Sequence, residues 1–171
     1  MQIEEKIRLI NQGLILFKNG NYKEAGLILS EVSKDLKEKD FRRFPELREV
    51  LLLLASALAK MEDFEQAVRL YQIGLRVLKG IKRLACLRDL GACFYNQGKF
   101  KEAKGYFERF FKGLVKRPCY RKEFQKLLCN SIIMWARSEF FSGNCDQAIE
   151  ILREESLKFG LSENLKIKRL L

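Results

Sequence analysis

The chain has 171 residues, 47% of them apolar, with 33 Lys and Arg against 22 Asp and Glu, no His and a net charge of +11. That is one domain's worth of chain, with enough apolar residues for a continuous core. The missing imidazoles remove the commonest general base and the usual nucleophilic triads, and with no phosphate loop, GxSxG or dinucleotide fingerprint either, neither an enzyme nor a cofactor is expected.

The predicted helices run near 3–18, 21–38, 46–60, 63–79, 82–97, 100–115, 121–142 and 144–158. They follow from one phrase met four times: Gly20-Asn21-Tyr22-Lys23-Glu24-Ala25, Glu62-Asp63-Phe64-Glu65-Gln66-Ala67, Gly98-Lys99-Phe100-Lys101-Glu102-Ala103 and Gly143-Asn144-Cys145-Asp146-Gln147-Ala148. Internal repetition of this kind sets the architecture. Glycine suits the left-handed position just past a helix C-terminus, and Glu62 is the exception. Asn21, Asp63 and Asn144 follow as candidate N-caps, with Lys99 the weak member. Glu24, Gln66, Glu102 and Gln147 complete a capping-box pattern. The phrase therefore stops one helix and starts the next, and two antiparallel helices joined so tightly must pack on each other.

Twelve residues before each phrase's Ala stands a small residue: Gly13, Ala55, Gly91 and Ala136. Large apolar residues surround it at helical spacing, as Leu9, Leu51, Leu87 and Ile132 before it and Leu16, Leu58 and Phe94 after it. Glu139 breaks the last series. Successive phrase alanines are separated by 42, 36 and 45 residues. Second helices one to three turns longer, or wider loops, would account for the excess over a period of about 34. Pro45 and Pro118 lie in the two longest gaps, each suited to the first turn of the next helix.

At these residues the chain resembles the tetratricopeptide repeat family. Leu87, Leu90-Gly91, Phe94, Ala103 and Phe107 match its pattern best, followed by Leu51, Leu54-Ala55, Leu58, Ala67 and Tyr71. Leu9, Gly13, Leu16, Ala25 and Leu29 match with Gln12 in place of the usual Leu. Ile132, Trp135-Ala136, Ala148 and Leu152 match weakly, with Glu139 and Glu155 in slots that are normally apolar. The resemblance implies an all-α, right-handed solenoid of about four helical hairpins. It would be a single domain over 1–171, with repeats near 3–38, 46–79, 82–115 and 121–158 and a tail at 159–171. Leu161, Leu165, Ile167, Leu170 and Leu171 make that tail a cap, the start of a further repeat or a dimer contact.

The resemblance also implies a concave face lined by the first helix of each pair. Carried over by offset, the groove holds Ile10, Leu14, Phe17 and Lys18; Leu52, Ser56, Ala59 and Lys60; Arg88, Ala92, Tyr95 and Asn96; and Ile133, Arg137, Phe140 and Phe141. Some members grip a C-terminal carboxylate with Lys and Asn, but Ile10, Leu14, Leu53 and Cys86 occupy those positions here. The expected ligand is a peptide or protein segment with apolar anchors and an acidic residue. Structural roles for Phe140 and Phe141 are the alternative.

Charge is distributed unevenly. The stretches 34–48, 76–84, 112–126 and 158–171 hold 20 Lys and Arg against 6 Asp and Glu, whereas the rest holds 13 against 16. In a hairpin solenoid these connections share one edge. Arg42, Arg43, Lys79, Lys82, Arg83, Lys116, Arg117, Arg121 and Lys122 can therefore form a basic strip that attracts an acidic protein, nucleic acid or an anionic membrane. The plainer reading is solubility and cations at helix C-termini. Protein or peptide ranks first as partner, nucleic acid lower and membrane lowest, with self-association open. A small secretion chaperone is a further reading, against which the positive charge speaks.

The five cysteines are odd in number and form no CxxC pair, so they read as small buried apolar residues, with no metal site. No apolar run is long enough to span a bilayer, and the first residues lack a signal peptide's pattern. A cytoplasmic protein is expected.

Overall fold

Each turn phrase lies between two helices in the computed structural model, which describes residues 2–161 and 163–170. In chain order come α1 (Ile3–Lys18), α2 (Tyr22–Lys34), α3 (Glu38–Arg43), α4 (Pro45–Lys60), α5 (Phe64–Val77), α6 (Gly80–Asn96) and α7 (Phe100–Lys116). A 3₁₀ turn at Pro118–Tyr120 leads into α8 (Arg121–Phe141). After α9 (Cys145–Glu150) the helix continues through a π-helical turn, Ile151–Glu155, into α10 (Ser156–Lys158), and α11 (Leu165–Lys168) follows. There is no β-strand among the described residues. Two compact units divide the chain, Met1–Cys86 and Leu87–Leu171.

All four turns close in the same way. Gly20, Gly98 and Gly143 take φ of 85°, 72° and 88°, and Glu62 takes 65° in the same slot. The next N–H returns to the carbonyl five residues back, as in Asn21 to Leu16 (3.0 Å), Asp63 to Leu58 (3.0 Å), Lys99 to Phe94 (2.9 Å) and Asn144 to Glu139 (2.9 Å). With the bonds from Gly20 to Phe17 and from Gly98 to Tyr95, these are Schellman closures. The start signals work differently from the capping-box expectation. Only Asp63 caps through its side chain, accepting from the Gln66 N–H at 3.3 Å. Asn21, Lys99 and Asn144 make no such bond.

In the first unit, α1 and α2 meet at Gly13, where a Cβ would stand 2.5 Å from Leu29 Cδ2. Ala25, Ala55 and Ala67 are fully buried. The 42-residue spacing comes from neither a longer second helix nor a plain loop. Helix α2 stops at Lys34, and α3 is inserted, with Leu36 and Phe41 fully buried beside Leu47 and Leu51. Basic side chains brace the end of α2 by donating to carbonyls in its last turn and just past it. Lys6 Nζ reaches Asp35 O at 3.0 Å, and the Arg69 guanidinium reaches Leu36 O at 2.7 Å and also Ser33 O. Pro45 opens α4 as anticipated.

In the second unit, the approach of α6 to α7 is equally close. A Cβ on Gly91 would lie 2.9 Å from the ring of Phe107. The core is aromatic, with Phe111 stacked on Trp135 (5.2 Å) and Phe110 edge-on to Phe124 (5.1 Å). Pro118 opens the 3₁₀ turn rather than the first turn of α8. That turn, a 17-residue α7 and a 21-residue α8 make up the widest spacing. Glu139, the residue that broke the apolar series, is buried and paired. Its carboxylate accepts from Lys104 Nζ at 3.0 Å and from Asn144 Nδ2 at 2.6 Å. The Asn144 side chain is used there and not on the α9 N-terminus. In the tail, Ile167 is fully buried and α11 packs on α8, which is how a cap behaves. Leu171 and the side chain of Leu165 lie outside the described residues.

Candidate binding surfaces

The positions carried over for the groove separate into core and surface. Ile10 is fully buried, Leu14 and Ile133 are 6% and 9% exposed, and the first two belong to the core of the first unit. Leu52, Ser56, Ala59 and Ala92 are half-buried. Arg88 is also half-buried and structural in its contacts. Its Nε donates to Asp89 at 2.7 Å, and its guanidinium lies 5.8 Å from the Phe124 ring. Ile10, Leu14 and Arg88 therefore do not present a free binding face. The carry-over missed this because an offset from the small residue ignores what packs on the other side of the helix.

Most of the remaining positions gather in two places, one in each unit. In the second unit, Ile133, Arg137, Phe140 and Phe141 of α8 line a pocket of about 400 Å³ with Cys145 and Ile149 of α9 and Leu170 of the tail. Phe140 and Phe141 are 55% and 56% exposed. An aromatic chain leads to it from α6. Tyr95 meets Phe100 edge-on at 5.6 Å, Phe100 stacks on Phe141 at 4.7 Å, and Phe141 meets Phe140 at 5.5 Å. Asn96 is exposed at the end of α6. Sequence reasoning passed over Phe100 and Ile149. Phe100 occupies the slot of the phrase that Tyr22 and Phe64 also fill, and that recurring aromatic was the available signal.

In the first unit, Phe17, Lys18 and Lys60 come together at a surface depression of about 840 Å³. Its other walls are Tyr22, Lys23 and Leu27 of α2, which the groove offsets did not include.

The basic positions are partly neutralised. Arg42 donates to Glu38 at 2.9 Å, and Arg76 reaches the same carboxylate at 2.7 Å. Lys82 pairs with Glu49 at 2.8 Å. These bonds, Arg42 foremost for Glu38 and Lys82 for Glu49, hold both carboxyls below the ordinary range. Arg43 lies over the Phe44 ring and Arg121 over that of Phe159. Lys79, Arg83, Lys116, Arg117 and Lys122 are exposed and have no acidic partner among the described residues.

The cysteines differ in their access to solvent. Burial pushes the Cys93 thiol up to about 12, with Asp89 adding to the shift. Cys86 is also buried, whereas Cys119 and Cys145 are exposed. Among the described residues no group of His, Cys, Asp and Glu could hold a metal ion, and no helix is long and apolar enough to cross a membrane.

Two tetratricopeptide repeat models match the sequence, at residues 50–82 and 85–112. Solved structures match over most of the chain. One is of kinesin light chain nearly identical TPR-like repeats from Podosopora anserina, at 23% identity, covering 90% of this chain and 75% of that one with a TM-score of 0.62. A point variant of the same repeats is also 23% identical, with coverages of 96% and 79% and a TM-score of 0.65. MamA from AMB-1 is 18% identical, with coverages of 97% and 78% and a TM-score of 0.60. No curated protein matches the sequence. Residues 50–82 and 85–112 match as tetratricopeptide repeats, and together with the solved structures this supports a protein of the tetratricopeptide repeat kind. Its fold is the all-α helical-hairpin array of that family, the architecture of a protein-interaction scaffold.

Proposed function

We propose that the chain binds a peptide or protein segment, as a scaffold or adaptor in the cytoplasm, through the aromatic pocket of its second unit. One observation carries the reading: Phe140 and Phe141 stand more than half exposed at the mouth of a pocket that other apolar side chains line. With each ring a little over half exposed, about 1–1.5 kcal/mol of burial per ring is forgone, roughly half the figure for a whole Phe side chain, and a partner's apolar side chain recovers it. Arg137, exposed on the same wall, supplies a cation for a carboxylate beside that anchor. Aromatic and Arg residues are the usual interface anchors. The test compares capture of partners from native lysate by the parent and by a Phe140→Ala, Phe141→Ala, Arg137→Gln variant. Loss of most specific capture, with the helical signal unchanged, is the expected result. Undiminished capture rejects this pocket as the main site.

A second reading is a polyanion-binding adaptor. The unpaired cations Lys79, Arg83, Lys116, Arg117 and Lys122 favour it. Replacing these five with Gln distinguishes the two. An accessory role predicts slower association with a flatter salt dependence, and a primary role predicts complete loss of binding.

A further inference from the structure

The depression in the first unit has a chemistry of its own. Helix α1 ends in Phe17-Lys18, and the turn phrase then starts α2 with Tyr22-Lys23. The two rings meet edge-on at 5.4 Å. One helical turn further on, Leu27 stands 76% exposed, and Tyr22 is 58% exposed. Between them Gly26 keeps the floor shallow, with no side chain above Met61. The result is an apolar hollow open to water.

Lysines ring it. Four line the depression (Lys18, Lys23, Lys34 and Lys60) against one acid, Glu31, for a net charge of +3. Glu31 is engaged with Lys34 at 3.2 Å. Lys18, Lys23 and Lys60 have no carboxylate partner among the described residues. The Lys60 ammonium sits 5.6 Å from the centre of the Phe17 ring, which draws its charge over the hollow.

We propose that this depression binds a short acidic peptide segment carrying an aromatic side chain. The ring fills the hollow against Tyr22 and Leu27, and carboxylates on either side of it meet Lys18, Lys23 and Lys60. The inference rests on the reading that the chain binds peptides, and adds a second site with a defined ligand chemistry. A peptide suits the surface better than a nucleic acid. Binding a single strand takes free aromatic faces for successive bases along a basic track. Here Phe17 is already covered by Tyr22 and Lys60, and the cations surround one hollow. Attraction between exposed charges of this kind weakens with salt, because ions screen it over about 10 Å at 0.1 M.

The probe is a fluorescein-labelled hexapeptide alternating glutamate and phenylalanine, with both ends blocked, titrated with the full chain by fluorescence anisotropy. Saturable binding that weakens with salt is expected. A Lys18→Gln, Lys23→Gln, Lys60→Gln variant should bind roughly tenfold more weakly, three exposed charge contacts at about 0.5 kcal/mol each. Leu27→Asp should weaken it in the same direction. In a Phe140→Ala, Phe141→Ala background, which removes the second-unit pocket, the three lysine substitutions should still weaken the remaining binding roughly tenfold. All these positions are exposed or half-exposed, so the variants should keep their thermal melts. The proposal is overturned if the parent does not bind the hexapeptide, or if the lysine variant binds it like the parent. Equal affinity for a hexapeptide with glycine in place of phenylalanine also overturns it, as does displacement of the probe by a single-stranded oligonucleotide at equal charge. Hexapeptide binding lost only in the Phe140 and Phe141 variant rejects this site while leaving the second-unit pocket standing.

Discussion

The same chemical change, Gly to Ala inside a helix, should have opposite effects at Gly91 and Gly105. Both lie in helix interiors, α6 and α7, where Ala is favoured over Gly by about 1 kcal/mol. At Gly105 a Cβ would have nothing within 4 Å, so only the propensity acts, and Gly105→Ala should stabilise by about 0.5–1 kcal/mol. At Gly91 the Cβ would meet three atoms of the Phe107 ring at 2.9–3.0 Å. That ring is fully buried and cannot swing aside. Overpacking of this kind costs about 1–3 kcal/mol, which exceeds the propensity gain and leaves a net loss of about 1 kcal/mol. At about 2–4 °C per kcal/mol for a chain of this size, the two variants should melt about 4–8 °C apart on opposite sides of the parent. Circular dichroism melts and urea titrations measure this directly. If Gly91→Ala raises the melting temperature as Gly105→Ala does, α6 and α7 do not touch at Gly91, and the small-residue contact that defines this repeat is wrong.

The left-handed φ of 65° at Glu62 costs a Cβ-bearing residue about 1–2 kcal/mol. Glu62→Gly should therefore shift the urea midpoint upward by the equivalent of about 0.5–1 kcal/mol, after the extra unfolded-state entropy of glycine is deducted; a lower midpoint would contradict that turn. Thiol accessibility gives an independent check on the core. At neutral pH, Cys119 and Cys145 should react with a disulfide reagent first, whereas Cys86 and Cys93 should wait for unfolding, Cys93 being buried and pushed up to about 12. Mass spectrometric detection of Cys93 in the fast fraction would show that α6 does not pack as described.

What the sequence alone determined is local or periodic. A helix stop and start within six residues can be read without knowing the fold, because Schellman closure involves only that turn and the one before it. The contact alanines were equally legible: Ala25, Ala67 and Ala103 are fully buried and Ala148 is 6% exposed. For Phe140 and Phe141 the sequence left a groove role and a core role open, and both rings stand more than half exposed. Tertiary structure decided the rest, because the relevant partner lies far along the chain. Glu139 reads as a flaw in an apolar series until Lys104, 35 residues earlier, is brought against it. Arg69 reads as a surface cation until it reaches the carbonyls of Ser33 and Leu36 and helps to end α2, which makes way for the inserted α3. Ile10 and Leu14 carry groove offsets yet lie in the core, whereas Tyr22 and Leu27 carry none and lie open. An amphipathic pattern tells which side chains avoid water, but which apolar positions stay uncovered depends on where the neighbouring helices end.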